Sequence, residues 1–309
     1  MKILITGSNG LLGQKLVYKL RNKSQVTCIA TARGDNRLVQ QRGYVYEKLD
    51  ITDKKNVEDV FTKHLPDVIM NTAAMTNVDA CETDRDACWL MNATAVENQV
   101  RVLETLKQNN KNYNPHFIHL STDFIFDGSH GPLDENETPN PLSYYAESKL
   151  AAEKTVQASN LDWAIARTVL VFGIVDNMSR SNIVLWVKSN LEQGKTIHVV
   201  DDQFRTPTLA EDLADGCILI AEKRAKGIYN ISGKDYFSIL ELANTVADYY
   251  GLDKSLIKPS KSADIKQPAK RPPITGFIID KAVKELGYNP HSFKEGIKLL
   301  EDQLKEMGK

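Results

Sequence analysis

The chain of 309 residues has no excess of either charge, with 39 Lys and Arg against 40 Asp and Glu and a net charge of −1. A chain so balanced has no global field to hold a polyanion, so nucleic-acid or anionic-membrane binding would need a local patch. Cysteine is scarce. The four present, Cys28, Cys81, Cys88 and Cys217, include no Cys-x-x-Cys pair and predict free thiols in a reducing compartment. No stretch approaches the roughly 20 apolar residues of a membrane helix. The apolar run after Lys2 is too short for a signal core and lacks a small-residue cleavage site, so a cytoplasmic protein is expected. There is no repeat of solenoid period, and no biased tract beyond a Pro- and Lys-rich loop at 258–273. What is present, 42% hydrophobic and 26% charged residues, suits an ordinary globular protein.

The first half alternates short β-branched runs with longer amphipathic segments, the βαβ pattern of a doubly wound parallel Rossmann-type α/β sheet. Strands are predicted at 2–6, 26–31, 44–48, 67–71, 116–120 and 163–167, with helices at 11–21, 54–64, 84–109 and 145–159. A late strand at 228–231 returns to the same sheet. After about Gly173 the rhythm changes to a helix at 182–193, a strand at 196–200, helices at 209–223 and 239–250, and a terminal helix at 293–307. This predicts a dinucleotide-binding domain at 1–175 plus 206–235, and a smaller discontinuous substrate-binding region at 176–205 plus 236–309.

Gly7-Ser8-Asn9-Gly10-Leu11-Leu12-Gly13 lies between the first strand and the first helix. Glycines there permit a tight turn, close approach of backbone to a pyrophosphate and close helix–strand packing, while the helix N-terminus offers N–H groups to phosphates. The spacing is one residue longer than the common dinucleotide fingerprint, and three glycines can also make a simple turn. At the end of the second strand stands Thr31-Ala32-Arg33-Gly34-Asp35, where a cation suits a ribose 2′-phosphate and an acid suits the free hydroxyl. Arg33 comes first, so NADPH is the expected cofactor, with NADH allowed. The competing reading makes Arg33 a solvated cation and Asp35 the ribose ligand.

Tyr145 and Lys149, one helical turn apart, lie about 40° apart around the axis, whereas Tyr144 and Lys149 lie about 140° apart. Only Tyr145 shares the lysine's face. A phenol titrates near pH 10 and makes a poor acid at neutral pH unless a neighbouring ammonium favours the phenolate. Such a pair also arises by chance on half-exposed helices. Leu120-Ser121-Thr122-Asp123 ends the fifth strand at the carboxyl edge, where ligands bind in open α/β folds, so a hydroxyl there can donate to a reacting carbonyl oxygen. A strand-end cap is the structural alternative.

On these motifs the chain resembles the extended short-chain dehydrogenases/reductases and, more narrowly, the dTDP-4-dehydrorhamnose reductase family. The likeness spans 7–13, Asp50-Ile51-Thr52-Asp53, Asn71-Thr72-Ala73-Ala74, 121–128, 145–149, Arg167-Thr168, Asp202-Gln203 with Pro207-Thr208, Asp212-Leu213-Ala214 and Arg271-Pro272. It implies reduction of the 4-keto group of a nucleotide-linked deoxysugar, dTDP-4-dehydrorhamnose to dTDP-L-rhamnose. It also implies Tyr145 as proton donor, Lys149 as its activator and ribose holder, and Thr122 on the carbonyl. Gly7, Asn9, Gly10, Leu11, Leu12 and Gly13 would hold the pyrophosphate, Asp50 and Ile51 would flank the adenine, and Ala73 and Ala74 would line the way to the nicotinamide. Ser121, Asp123, Arg205 and Arg271 are the expected substrate contacts.

The chain departs from that family in three places. Leu170 stands where the family carries tryptophan, which leaves the sugar open. Arg205 replaces a glycine and is read either as a grip on a phosphate or carboxylate or as a loop-surface charge. Lys15 replaces a glutamate of members that dimerise through a metal, so no metal is expected, and the chain is read as a monomer or homodimer. His116 and His119 point to opposite faces of one strand and cannot chelate one ion. The 258–271 stretch carries five basic residues and one acid without an aromatic, which predicts a solvated loop or a diphosphate clamp before any nucleic-acid site. Two other functions stay open: an epimerase or dehydratase of the same fold, though Phe124 rather than glutamate follows Asp123, and a regulatory subunit that binds cofactor without chemistry.

Overall fold

The computed structural model describes residues 1–177 and 181–308. Seven parallel strands form its centre: β1 (Lys2–Thr6), β2 (Thr27–Ala32), β3 (Val45–Lys48), β4 (Val68–Asn71), β5 (His116–Thr122), β6 (Asp162–Thr168) and β7 (Gly227–Asn230). Their order, β7-β6-β5-β4-β1-β2-β3, reverses direction between β1 and β4, the switch point at which ligands bind in such sheets. The expected doubly wound sheet is thus present, with strand ends displaced by one or two residues. β5 runs on through Ser121 and Thr122 because both still pair with β6.

Burial on both faces explains the apolar runs Ile3-Leu4-Ile5 of β1 and Val68-Ile69-Met70 of β4. On one face Ile3, Ile5, Met70 and Ile118 meet helices α1 (Leu11–Leu20) and, near the C-terminal half, Ala210–Lys223. On the other Leu4, Ile69 and Phe117 meet α2 (Lys54–His64) and α3 (Ala95–Asn109). The helix expected at 84–109 is broken into a short helix Arg85–Trp89, a π turn Leu90–Thr94 and α3, with a further short helix Val78–Thr83 before it. Asp84 ends one short helix and caps the next, its side chain accepting from Ala87 N at 3.1 Å, which a purely apolar periodicity does not reveal.

α4 (Tyr144–Gln157) starts where Ser143 Oγ accepts from Ala146 N at 3.3 Å. A second core gathers Phe172, Val184, Val187, Leu242, Val246, Phe293 and Ile297 from the short strand Val171–Phe172 and from α5 (Ile183–Glu192), α6 (Ile239–Tyr250) and α7 (Phe293–Glu306). Here Ile197–Val200 pairs in parallel with Ile257–Ser260, so part of the Pro/Lys-rich stretch expected as loop is a strand. Between this core and the carboxyl edge of the sheet lies one long cleft. None of the described helices is long and apolar enough to cross a membrane.

Candidate active site

The cleft holds about 1200 Å³, more than a single small ligand of a few hundred Å³ needs. Its floor is the glycine turn. Gly7 adopts φ +69°, and a Cβ there would stand 2.9 Å from the Ala73 backbone. At Gly13 a Cβ would come within 2.3 Å of the Gly7 carbonyl oxygen, so no side chain fits without moving backbone. Gly10 N donates to Gly7 O at 2.9 Å and closes the turn on the N-terminus of α1. Asn9, Leu11, Leu12, Ala73 and Ala74 all line the cleft here.

Farther along, Arg33, Asp50 and Ile51 line the cleft beside Gly34 and Leu49. The Asp50 carboxylate accepts from Thr52 N at 2.9 Å and from Thr52 Oγ1 at 2.6 Å, which orients the segment after β3. Asp35 pairs with Lys48 at 2.7 Å on the open surface, while Arg33 keeps an exposed guanidinium at the cleft wall. Arg37 joins Arg33 there, a cation the strand-end rule passed over because it lies four residues beyond the expected position. Asn9 ties its loop to the glycine turn, donating to Asp35 O at 2.8 Å and accepting from Arg37 N at 2.9 Å.

Tyr145, Lys149 and Thr122 converge at the middle of the cleft. Burial holds the Tyr145 phenol well above its ordinary value, opposed in part by the Thr122 hydroxyl beside it. Burial also brings Lys149 down to about 8, with Glu153 and Cys88 pulling the other way. The lysine was expected to draw the phenol down. Here desolvation dominates instead, because Lys149 Nζ turns to Leu120 O at 2.6 Å and stands 3.3 Å from His119 Nε2. Thr122 Oγ1 donates to Asp123 Oδ1 at 3.1 Å and accepts from Phe124 N at 3.2 Å.

The four expected substrate contacts all line the cleft, but they differ in what they already hold. Ser121 Oγ is buried with no partner among the described residues, as is Thr168 Oγ1 one strand away. Asp123 is buried and accepts from Thr275 Oγ1 at 2.5 Å; burial raises its carboxyl although Arg205 opposes. Arg205 is buried rather than a loop-surface charge. Its guanidinium donates to Pro272 O at 2.7 Å and to Phe204 O at 2.7 Å, and lies 3.6 Å from Asp123 Oδ2. Arg271 forks onto Asp79 at 2.7 and 3.1 Å, joining the 258–273 stretch to the short helix Val78–Thr83.

Leu170, in the place of the family tryptophan, lines the cleft at φ +38°. Trp186 of α5 also lines the cleft with 38% of its surface exposed, an aromatic that lies too far from Leu170 in sequence for motif spacing to connect the two. Lys15 is spent within the chain, 2.7 Å from Glu211 and 3.0 Å from Gln303. Among the described residues no three His, Cys, Asp or Glu side chains gather as a metal ion would require.

The side-chain-free cradle at Gly7 and Gly13 and the exposed cations Arg33 and Arg37 farther along the same cleft fit a nicotinamide dinucleotide. Comparison with known proteins agrees. The family described as RmlD substrate binding domain matches residues 1–306. The probable low-salt glycan biosynthesis reductase Agl14 of Haloferax volcanii is 28% identical over 303 residues, 97% of each chain. Methionine adenosyltransferase 2 subunit beta of Bos taurus is 30% identical over 263 residues, 84% of this chain and 75% of that one. Among solved structures, a dTDP-4-dehydrorhamnose reductase from Clostridium acetobutylicum superposes with a TM-score of 0.84 at 28% identity, covering 99% of this chain and 100% of that one. Its counterpart from Bacillus anthracis, in complex with NADP, does so with 0.82 at 25%, covering 98% and 99%. The chain is therefore a nicotinamide-dependent oxidoreductase of the extended short-chain dehydrogenase/reductase type, and it belongs to the RmlD substrate-binding-domain family.

Proposed function

We propose that the protein reduces the 4-keto group of a nucleotide-linked deoxysugar with NADPH, dTDP-4-dehydrorhamnose to dTDP-L-rhamnose being the leading pair. One observation carries the chemistry: Tyr145, Thr122 and Lys149 stand together in a cleft that has the glycine cradle at one end and Arg205 and Arg271 at the other. The relatives that are reductases of this substrate or of glycan biosynthesis support the sugar-nucleotide class.

The bound cofactor would supply hydride to the carbonyl carbon, with Gly7, Gly10 and Gly13 at its pyrophosphate, Arg33 at its 2′-phosphate and Lys149 at its nicotinamide ribose. The chain's own residues do the rest. Thr122 has a hydroxyl beside the phenol and can donate to the substrate oxygen as negative charge grows there. Tyr145, held neutral by burial, keeps a proton that it can give to that oxygen as the alkoxide forms. Lys149 is the neighbouring source from which the phenolate regains it.

Replacing Tyr145 with Phe removes the acid and keeps the ring. The expected result is a loss of about 10²–10⁴-fold in turnover of dTDP-4-dehydrorhamnose, with NADPH binding nearly unchanged. Full activity in that variant would eliminate Tyr145 as the proton donor. The subunit-beta relative favours a second reading, a cofactor-binding regulator. Mass spectrometry of products from a panel of nucleotide-linked keto-sugars with NADPH separates the two, since a regulator alone leaves every sugar unreduced.

A further inference from the structure

Beside the catalytic trio runs a polar row that the mechanism above does not use. Thr6, Asn71 and His119 occupy matched positions on β1, β4 and β5, since Thr6 registers with Asn71 and Asn71 with His119. All three are buried, the largest exposure being 1%. They are hydrogen-bonded in sequence: Thr6 Oγ1 to Asn71 Oδ1 at 2.7 Å, Asn71 Nδ2 to His119 Nδ1 at 3.1 Å, and His119 Nε2 to Lys149 Nζ at 3.3 Å. Phe117 stacks 6.5 Å from the imidazole, so the ring has an apolar flank.

The direction of this row follows from counting donors. Ala73 N–H donates to Thr6 Oγ1 at 3.3 Å, leaving the threonine proton for Asn71 Oδ1. The amide therefore turns its NH₂ toward His119, and Nδ1 must accept. A neutral imidazole with Nδ1 accepting carries its single proton on Nε2. That proton points at Lys149 Nζ. Burial and the nearby lysine both keep His119 from becoming an imidazolium, its basicity lying well below the usual value.

We propose that His119 is a positioning residue which presents an N–H to Lys149 and thereby loosens the proton the lysine carries. When the Lys149 N–H bond breaks and a Tyr145 O–H bond forms, the electron pair stays on Nζ, where the His119 N–H is placed to receive it. The ammonium form gains nothing from that N–H. The other groups facing Lys149 are the Leu120 carbonyl on β5, Tyr145 one turn earlier on α4, Glu153 one turn later, and the Cys88 thiol of the short helix Arg85–Trp89. Glu153 favours the ammonium but is shared with Arg167 of β6, at 2.8 Å. This inference rests on Lys149 serving Tyr145, and it places the control of that service at Thr6, two strands from His119 and three hydrogen bonds from Lys149.

The test uses the full chain without substrate. In ¹⁵N-histidine-labelled protein, assigned with His119→Gln, NMR should find His119 protonated on Nε2 and bare on Nδ1 between pH 6 and 9. A Nδ1-protonated ring or an imidazolium there overturns the proposal. Thr6→Val removes the hydroxyl that orients Asn71, so the amide can turn and offer its oxygen to Nδ1–H, making Nε2 an acceptor for the ammonium. The Lys149 titration, followed by lysine side-chain NMR and assigned with Lys149→Met, should then rise about tenfold in proton affinity. Thr6→Ser should keep the wild-type value. An unmoved lysine in a folded Thr6→Val protein overturns the proposal as well; should that variant not fold, the wild-type tautomer decides. Because both readouts precede any substrate, they can fail while Tyr145→Phe still abolishes reduction, or hold while no keto-sugar is turned over.

Discussion

At the residue scale, burial outweighs neighbouring charge. Tyr145 and Lys149 share a helix face as their spacing requires, yet the phenol is held up and the amine held down by the same dry surroundings. A motif shows which groups meet and is silent on how far water has been removed from them. Arg33 stands at the opposite extreme, exposed at the mouth; on the proposed NADPH reading it would make a charge-assisted bond to the 2′-phosphate, worth about 1.5–3 kcal/mol. Arg33→Ala should therefore lower the ratio of kcat/KM for NADPH over NADH by about 10–100-fold. A ratio that stays put would remove Arg33 from cofactor choice, leaving Arg37 as the cation to replace.

Among the elements, the glycine turn and α4 were legible because each depends on neighbours close in sequence. Gly7 and Gly13 lie within one turn, and the Gly13 hydrogen faces a carbonyl that any Cβ would strike at 2.3 Å. Gly13→Ala should cost at least tenfold in NADPH affinity, measured by fluorescence titration, and should lower the midpoint of thermal unfolding. Wild-type affinity would mean that α1 can retreat from β1 without harm. The broken helix before α3 was not legible. Its interruptions at Asp84 and across Leu90–Thr94 leave the apolar spacing nearly intact, and the π turn carries Asn92, whose amide reaches Met75 O at 3.0 Å and Ser148 Oγ at 3.1 Å.

On the scale of the whole molecule, a buried ion pair ties the helix that carries Tyr145 to the central sheet. Arg167 at the end of β6 forks onto Glu153 of α4 at 2.8 and 3.0 Å, and both side chains are almost wholly buried. The guanidinium also reaches Glu135 O at 3.2 Å and lies 5.3 Å from the centre of the Phe126 ring, so one side chain gathers the helix of Tyr145, the sheet and the 126–135 loop. Removing one partner of such a pair strands the other charge. Arg167→Met should destabilise the fold by about 3–5 kcal/mol in urea unfolding. Loss of less than about 1 kcal/mol would show that Glu153 takes up a proton or finds water instead.

By itself the sequence determined the parallel sheet, the glycine turn, the face shared by Tyr145 and Lys149 and the position of Thr122 at a strand end. Each of these follows from periodicity or from contacts a few residues apart. Only the tertiary structure decided what Arg205, Arg271 and His119 touch. Arg205 could be read as a grip or as a surface charge until the carbonyls of Phe204 and Pro272 were found around it, and the second partner lies 67 residues away in the chain. His119 could be read only as half of a failed chelate, because its partners, Asn71 and Lys149, arrive from another strand and from a helix. The physical reason is the same for both. A hydrogen-bonding group is defined by what removes it from water, and in a parallel sheet those neighbours are brought together by crossovers that local spacing does not encode.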